Sequence, residues 1–370
     1  MTETKTYDCA IIGGGMAGLC LSIQLARLGW SVVVFEKSTY PFHKVCGEYV
    51  SNECVGFLLR LGLRLDEWDL PQISKLAISS EEGYKFSAGL GLGGFGISRY
   101  KLDSELLSLA LQAGVTVKDN TKVQSVKGNN IVTANGEYTS SITVGAFGKN
   151  TPFFAKEQKQ KEATDNYVGV KYHIRSNLPG DTIALHNFKR GYCGVSRIEG
   201  DRYCLCYLSH TSNLLKHRNN IAEMETQVVT RNPHLKEIFH NSEFIFDRPL
   251  TISNIRFTAK NTSDSNLIYL GDAAGCISPL TGNGMSMSAY ASFVLGGLLN
   301  RFLAGELTRS ELEKSYKQSW HNAFSARIRR GQQLQYLFGK PYLSHLALRV
   351  LQPLGKVKNK LIASTHGVPF

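Results

Sequence analysis

Apolar and polar positions near the start of the chain follow first a strand pattern and then a helix pattern. Residues 9–12 are short and wholly apolar, as in a buried strand. Apolar residues at helical spacing follow at Leu19, Ile23, Leu25 and Ala26. This helix is predicted to end near Gly29, and a second apolar strand, SVVVFE, ends with Glu36. The pattern predicts a strand–helix–strand unit of a parallel sheet covered by helices.

The middle of the chain, between about residues 151 and 249, changes to strand alternation. Gly, Pro and Asp turns separate the runs NYVGVKYHIR, DTIALHNF, GYCGVSRI and DRYCLCYLS. These runs predict an antiparallel sheet with one packed face and one open face. A helix is predicted over residues 220–231, ending before Asn232 and Pro233.

The longest apolar stretch, residues 289–303, is interrupted by Gly296, Gly297 and Asn300 and is predicted to be a buried helix. The starting sequence YDCAIIGG lacks the basic segment and cleavage site of a signal peptide. Hydrophobic residues make up 42% and charged residues 19%, which is typical of an ordinary globular protein. We therefore predict a cytoplasmic protein, with peripheral attachment to a membrane as an open alternative.

The eight cysteines follow neither a disulfide pattern nor a metal-binding pattern. The chain contains no CxxC pair, and it is neither small nor secreted in appearance. Cys204 and Cys206 lie on one face of a predicted strand, and two thiols without a second pair are poor zinc ligands. We interpret the cysteines mainly as buried small side chains and predict no metal site. They are Cys9, Cys20, Cys46, Cys54, Cys193, Cys204, Cys206 and Cys276.

The loop between the first strand and the first helix has the spacing of a dinucleotide site. Gly13 permits the tight turn, Gly15 lets a pyrophosphate approach the backbone, and Gly18 lets helix and strand pack closely. The start of the helix offers unpaired N–H groups to phosphates. Glu36 follows Gly18 by 18 residues and is placed to accept hydrogen bonds from an adenosine ribose. The complete unit therefore predicts a bound dinucleotide.

A second glycine-rich loop, some 250 residues later, favours FAD over NAD. Residues 267–270 form another apolar strand, which Gly271 and Asp272 follow. A carboxylate at the end of a strand can hold a ribityl or ribose hydroxyl. The helix predicted to begin near Gly284 points its positive end into this loop, which suits the negative side of a reduced flavin ring. NAD needs no second half-site so distant in the sequence.

At this point the sequence resembles a known family. GGGMAG with Glu36, ISRYKLDSELL, VGAFGKNT and GDAAGCISPLTGNGM occur in the order seen in flavoproteins with the para-hydroxybenzoate hydroxylase fold. KVCGEYVS and the last motif are most similar to the geranylgeranyl reductase-like branch. The resemblance covers about residues 6–155 and 250–300, and only weakly the segment between them.

The resemblance implies the contacts of an FAD molecule. Arg99 would reach its phosphate or ribityl part, the backbone of Val123 its adenine, and Asp272 its pyrophosphate or ribityl group. Residues 282–285 would border the flavin ring. The implied cofactor-binding residues are Gly13, Gly15, Met16, Ala17, Gly18, Glu36, Lys37, Cys46, Gly47, Arg99, Val123, Gly271, Asp272, Gly282, Asn283, Gly284 and Met285.

The resemblance also implies a reaction: reduction of a carbon–carbon double bond of a hydrophobic prenyl, polyene or polyketide-like substrate by hydride from flavin N5. The alternative is an FAD-dependent monooxygenase or halogenase acting on an aromatic or secondary-metabolite substrate. No separate nicotinamide fingerprint is visible, so NAD(P)H would bind transiently or a protein donor would deliver electrons. A flavoprotein that only carries electrons is a further alternative.

The sequence departs from the family at two places. Phe147 stands where the family often has an acidic residue. The YxWxFP-like motif of the reductases appears only as GYCGVSRIEG, which bears on the identity of the substrate. The WxWxIP motif of tryptophan halogenases is absent, since Trp30, Trp68 and Trp320 are isolated.

The C-terminal region is apolar-periodic and basic. Of the net charge of +12, residues 311–370 carry +8, from ten Lys or Arg and two Glu. One interpretation is a helical pair packed on the flavin domain with a solvated basic face, which Pro341 and Pro353 favour because they break any long helix. The other is an interfacial patch that takes a greasy substrate from a membrane or a carrier. Aromatic residues do not interleave with the basic ones, so no nucleic-acid partner is predicted.

The predicted fold class is α/β, with a discontinuous Rossmann-like FAD-binding domain, an inserted antiparallel-sheet substrate domain and C-terminal helices. The FAD-binding domain takes residues 1–75, 96–155 and 250–310. The substrate domain takes residues 76–95 and 156–249, and the helical region residues 311–370.

The run KVCGEYVS should lie near the middle of the cofactor, because it follows the second strand. We predict that Cys46 donates a proton or shapes the cavity, with a packing thiol as the alternative. Gly47 is predicted to allow close approach to FAD, and Glu48 is a second candidate acid. His173 and His186 are interpreted as structural. Strand aromatics that line the cavity or fill the core are Tyr167, Tyr172, Phe188, Tyr192 and Tyr203.

Overall fold

The computed structural model describes residues 5–149, 166–255, 261–264, 266–275, 280, 282–338 and 340–370. The end of the VGAFGKNT motif and Cys276 lie outside the described residues. The strands are β1 (Lys5–Ile12), β2 (Val32–Phe35), β3 (Tyr49–Ser51), β4 (Gln72–Ser79), β5 (Lys85–Gly96), β6 (Thr116–Lys118), β7 (Val123–Lys127), β8 (Asn130–Thr133), β9 (Gly136–Gly145), β10 (Tyr167–Arg175), β11 (Thr182–Phe188), β12 (Gly191–Ile198), β13 (Arg202–His210), β14 (Glu243–Phe244), β15 (Leu250–Ile255) and β16 (Ile268–Tyr269). The helices are α1 (Met16–Arg27), α2 (Val55–Arg60), α3 (Arg99–Gln112), α4 (Thr211–Lys216), α5 (Ile221–Gln227), α6 (Pro233–Asn241), α7 (Gly284–Leu303), α8 (Arg309–Phe338), α9 (Pro341–Leu351) and α10 (Gly355–Ala363).

The first sheet has the strand order β6-β2-β1-β9-β8-β7, with β16 beside β9. Its centre is parallel: β1 pairs with β2 and with β9, and Cys9 lies opposite Val32 on one side and Ile142 on the other. Apolar side chains fill β1 and β2 because helices cover this sheet. Ser292 of α7 donates a hydrogen bond to the Ala17 carbonyl of α1 (2.9 Å) and ties the two helices together. The predicted strand–helix–strand unit is confirmed.

The second sheet has the order β14-β10-β13-β12-β11-β4-β5-β3, with β15 beside β10. All four predicted alternating runs form strands, and their pairs are antiparallel. The pair β4–β11 is parallel, which the sequence did not predict. These two strands come from distant parts of the chain, so no hairpin forces them to be antiparallel. The two sheets with their helices confirm the predicted α/β fold class.

The C-terminal helices begin with the 30-residue α8, which packs on α7. Helix α9 then packs on α8, β4 and β5, and α10 packs on β5. The predicted helical pair corresponds to α9 and α10, which rest on strands of the second sheet, whereas α8 packs on α7. Pro341 begins α9 as expected. In the described part of the chain no helix combines the length and apolar character that crossing a bilayer requires.

Candidate active site

The glycine loop after β1 forms a cradle for an anion. A methyl group on Gly18 would lie 2.1 Å from the carbonyl oxygen of Gly13, so this contact requires glycine. Gly15 begins α1 with φ −84°, and no side chain caps the helix there. The first amides of α1 therefore remain available to a ligand, as at other phosphate-binding helix starts. Met16 and Ala17 are buried in the first turn.

Glu36 lies beside this loop, as predicted for a ribose contact. Its carboxylate accepts hydrogen bonds from the backbone N–H of Gly14 (2.9 Å) and of Ser38 (3.0 Å). The neighbouring Lys37 is exposed. The N–H of Thr121 donates to the carbonyl of Glu36 (2.8 Å), which brings the start of β7, at Val123, toward the same end of the loop. The predicted adenosine contacts therefore share one region.

Two cations face the glycine loop. A methyl group on Gly15 would lie 3.5 Å both from Nη2 of Arg99 and from Nζ of Lys44. Both cations pair with Asp103, at 2.7 Å for Arg99 and 2.9 Å for Lys44. Burial opposes ionisation of Asp103, but the charges of Arg99 and Lys44 outweigh it and lower the pKa of this carboxyl. Arg99 and Lys44 therefore present two cations on the Gly15 side of the loop, where a pyrophosphate would lie.

Arg99 was predicted at this site, whereas Lys44 and Asp103 were not. The spacing of Arg99 and Asp103, four residues apart in one helix, could have indicated the pair. Lys44 belongs to the KVCGEYVS run, in which the predicted chemistry involved the Cys46 thiol and the Glu48 carboxylate. Its contact with Asp103 spans 59 residues, which no local pattern reveals.

The second glycine loop meets the first one. A methyl group on Gly271 would lie 3.2 Å from Cβ of Ala17, so this turn, with φ +63°, rests on the first turn of α1. Asp272 follows it in a short 3₁₀ helix. Asn283 precedes Gly284 and Met285 at the start of α7; its amide donates to the carbonyl of Thr365 (2.5 Å), while its buried Oδ1 has no partner among the described residues.

Gly282 adopts φ +67° against the ring of Tyr49. Between the two described parts of this loop, residues 276–279 and 281 lie outside the described residues. The described residues fit FAD: an uncapped helix start with two cations suits the pyrophosphate, Glu36 suits the ribose, and the orphan Oδ1 of Asn283 offers an acceptor at the second loop.

A fully buried charge cluster supports the KVCGEYVS run. Glu48 accepts a hydrogen bond from Nζ of Lys171 (2.5 Å) and one from the N–H of Arg99 (2.7 Å), and its other oxygen lies 2.7 Å from Nε2 of His173. Glu48, Lys171 and His173 have no exposed side-chain surface. Burial alone would raise the pKa of Glu48, but the hydrogen bond with His173 and the charge of Lys171 lower it. Glu48 is therefore an anion at neutral pH.

Cys46 is half-buried between the glycine loop and the second sheet. Its sulfur accepts a weak hydrogen bond from the N–H of Glu48 (3.5 Å) and interacts with Arg99. The Cys204 thiol donates to the carbonyl of Cys46 (3.2 Å) and anchors the run to β13. A methyl group on Gly47 would meet no atom within 4 Å, so open space borders this residue. The predicted catalytic and cofactor-binding residues of the run thus lie at the junction of the two sheets.

Glu48, His173 and Cys204 offer three ligand atoms within 4.8 Å of one another. The ammonium group of Lys171 donates a hydrogen bond to the Glu48 carboxylate. The positive charge that a metal ion would bring to this carboxylate is therefore already present. We therefore interpret this group as an ion-pair cluster.

Most of the strand aromatics fill the core. Tyr172, Phe188 and Tyr203 are buried in the cluster beneath α5 and α6. His186 is structural as predicted: it shares a hydrogen bond with Ser79 (2.8 Å), and burial together with His234 lowers its pKa to about 3. His173 belongs instead to the cluster around Glu48, a placement that the strand pattern did not indicate.

The lowered pKa of Glu48 predicts a pH-dependent stability. A lowered folded-state pKa stabilises the protein fully above the ordinary value of 4.5, and this contribution is lost as pH falls through the folded-state pKa. In Glu48→Gln the free energy of unfolding should be lower near neutral pH, and its difference from wild type should narrow below pH 4.5 by up to ~1.4 kcal/mol per pH unit. Urea unfolding across this range measures the difference.

The control for this experiment is Glu67→Gln, which breaks an exposed pair with Arg64 and should leave the pH profile unchanged. A constant difference between Glu48→Gln and wild type at all pH values would show that Glu48 is not ionised through its contacts with Lys171 and His173.

Comparisons with known proteins agree with this architecture. Residues 11–54 match the NAD(P)-binding Rossmann-like domain. The chain is 24% identical over 87% of its length to conditioned medium factor receptor 1 of Dictyostelium discoideum, covering 69% of that protein. It is 23% identical over 91% of its length to a digeranylgeranylglycerophospholipid reductase of Methanospirillum hungatei, covering 86% of that protein. A flavin-dependent brominase structure aligns with 97% of the chain and 94% of its own length, with a TM-score of 0.79 and 20% identity.

The comparisons confirm the predicted resemblance to geranylgeranyl reductase-like flavoproteins and their fold. They support an FAD-dependent oxidoreductase. A reductase and a brominase are both similar to the chain, so these similarities fit reduction and halogenation alike.

Proposed function

We propose that the chain is an FAD-dependent reductase that saturates a carbon–carbon double bond of a hydrophobic substrate. Bound FAD would supply the hydride chemistry. Gly13, Gly15 and Gly18 would hold its pyrophosphate with Arg99 and Lys44, and Glu36 would hold its adenosine ribose. The observation that carries the proposal is the position of Cys46: a half-buried thiol at the junction of the cofactor loop and the second sheet, beside open space at Gly47.

Saturation of a double bond requires a proton for the carbon that does not receive the hydride. The half-buried Cys46 thiol would supply this proton. Glu48 carries none, because its contacts keep it ionised and it is fully buried. We therefore assign Glu48 a positioning role in place of the acid role that the sequence suggested. Its carboxylate fixes Arg99 and Lys171, and its N–H holds the sulfur of Cys46.

A hydrophobic substrate would suit the apolar packing around Val45, the residue before Cys46. A methyl group on Gly169 would lie about equally close to side chains of Val45 (3.1 Å), Ile252 (3.0 Å) and Ile255 (3.1 Å), so the residue before Cys46 packs on an apolar part of the second sheet. The relative from Methanospirillum hungatei is named for a reductase of a prenyl-chain lipid. These apolar side chains next to the run would help to exclude water when a substrate is bound.

The second candidate is an FAD-dependent monooxygenase or halogenase, which the fold shared with the brominase supports. In that case the reduced cofactor would react with oxygen, and the product would carry an oxygen or halogen atom. NAD(P)H or a protein donor would reduce the cofactor in both candidates.

Cys46→Ala should slow the reduction of the substrate by roughly 10²- to 10⁴-fold, the contribution of a positioned acid, and leave the FAD content unchanged. Anaerobic stopped-flow mixing of reduced enzyme with a prenyl alkene measures this rate. Cys46→Ser, which retains a proton, should recover part of it. Cys193→Ala removes a buried thiol from the sheet core and serves as control, with an unchanged rate. Unchanged turnover in Cys46→Ala would return this thiol to a packing role.

A further inference from the structure

Helix α9 is apolar on both of its faces. Its inner face packs into the cluster of Ile78 and Phe86 through the fully buried Leu348. Its outer face presents Tyr342 (81% exposed), Leu346 (53%) and Val350 (54%), which stand four residues apart and share one side of the helix. A globular helix normally exposes a polar outer face, so this apolar face requires an occupant.

Exposed apolar side chains concentrate in this part of the chain. Among the described residues, 14 large hydrophobic side chains are exposed, and seven of these fall within residues 336–357. Single exposed apolar residues are normal on protein surfaces, whereas a concentration of them marks an interaction site. The seven are Tyr336, Tyr342, Leu343, Leu346, Val350, Leu354 and Val357; we call them the outer apolar patch.

The segment that carries this patch is basic, although the exposed carboxylate of Glu82, from the turn between β4 and β5, lies 3.2 Å from Nδ1 of His345 in α9. Residues 340–370 contain five Lys or Arg and neither Asp nor Glu. Lys340 lies over the ring of Tyr336 at 4.0 Å, and Arg349, Lys356 and Lys360 are exposed. An apolar stripe flanked by cations, with an aromatic residue beside a lysine, matches the interface of an anionic lipid bilayer. A second copy of the chain would bring a like charge of +5 against this one.

We propose that the outer apolar patch docks the protein on the surface of an anionic membrane, with α9 lying in the plane of the interface. Its 11 residues span roughly 16 Å, so the helix lies on the bilayer and does not cross it. The cations would contact lipid phosphates while Tyr342, Leu346 and Val350 enter the acyl boundary. This inference concerns a surface and does not depend on the reaction that the enzyme catalyses.

The docking helices connect to the candidate active site. The segment after α10 returns to the second glycine loop, where the Thr365 carbonyl accepts from Asn283. The N–H of Gly367 donates to Glu53 (2.5 Å), and Arg327 of α8 pairs with the same carboxylate (2.8 Å). On a membrane, α9 would face β4 and β5 toward the lipid side, and the same sheet contains β13, which contacts Cys46.

Co-flotation of the full chain with vesicles tests the proposal. The protein should float with vesicles of phosphatidylcholine mixed with phosphatidylglycerol, and only weakly with phosphatidylcholine alone. Leu346→Gln with Val350→Gln should weaken binding roughly 10-fold or more. Lys356→Gln with Lys360→Gln should weaken it about 5-fold per lysine and reduce its salt dependence. Thermal unfolding of each variant verifies that the fold is retained.

The matched control is Leu215→Gln, which removes a leucine that is even more exposed (66%, against 53% for Leu346) on α4, outside the patch. Its vesicle binding should equal that of wild type. Absence of flotation with anionic vesicles, or equal flotation of the patch variants, would overturn the proposal. If the protein instead formed a dimer in sedimentation that the Leu346→Gln, Val350→Gln variant dissolved, without vesicle binding, the patch would be a subunit interface.

Discussion

Gly15→Ala should fold normally and lose at least ~100-fold in affinity for FAD, about 2.8 kcal/mol. Gly15 has φ −84°, which alanine adopts without strain, and its added methyl would meet only Arg99 and Lys44, at 3.5 Å. The protein without cofactor can therefore accept the methyl group. A pyrophosphate drawn to the first amides of α1 and to these two cations cannot, because the methyl occupies the surface that it must approach. Titration of apoprotein with FAD, followed by flavin fluorescence, measures the affinity.

Two further glycine variants distinguish a loss of FAD affinity from a loss of folding stability. Gly18→Ala places a methyl group 2.1 Å from the Gly13 carbonyl and should lose ~2 kcal/mol or more of stability, because helix and strand must move apart. Gly297→Ala, in the interior of α7 with no atom near its added methyl, should retain FAD and gain ~0.5–1 kcal/mol. Tight FAD binding by a well-folded Gly15→Ala variant would refute the placement of the pyrophosphate at this loop.

Lys171→Met should lower the free energy of unfolding by ~3–5 kcal/mol, the cost of leaving a buried carboxylate without its main cation. Glu48 would retain His173 and the N–H of Arg99, but neither carries the permanent charge of Lys171. A double variant, Lys171→Met with Glu48→Gln, should recover much of the loss, because it removes both charges. Urea unfolding of the two single variants and the double variant gives the coupling energy.

The control for the buried pair is Lys75→Met, which breaks an exposed pair with Asp181 and should change stability by less than ~1 kcal/mol. If the losses of the two single variants simply added up in the double variant, Glu48 and Lys171 would not stabilise each other. Other residues would then have to hold the KVCGEYVS run in place.

The geometry of the first glycine loop was predictable because its requirements are local. The turn at Gly13, the close contact at Gly18 and the acceptor at Glu36 all lie within one strand–helix–strand unit of the chain. Each of these positions tolerates few residue types, so the residues found there indicate the geometry of the loop. The strands of the second sheet were also predictable. Their alternation of apolar and polar side chains can be read from the sequence without knowing which strands pair.

The residues that hold Glu48 and the neighbouring Cys46 in place were not predictable, because they come from distant parts of the chain. Lys171 and His173 meet Glu48 over 123 and 125 residues, and alternation along β10 assigns each a face but no partner. The C-terminal helices pose the same difficulty. Their periodicity predicted the apolar character of α9, but only its packing on β4 and β5 shows which face is covered and which is exposed.

Anaerobic photoreduction of the FAD-loaded protein, followed by addition of geranylgeranyl lipids and conjugated polyenes, tests whether the chain is an alkene reductase. We predict that an alkene of this kind reoxidises the flavin without oxygen, with one saturated bond formed per flavin, and that Cys46→Ala does so more slowly. The contradicting result is a reduced enzyme that no such alkene reoxidises, but which consumes oxygen and forms an oxygenated or halogenated aromatic product.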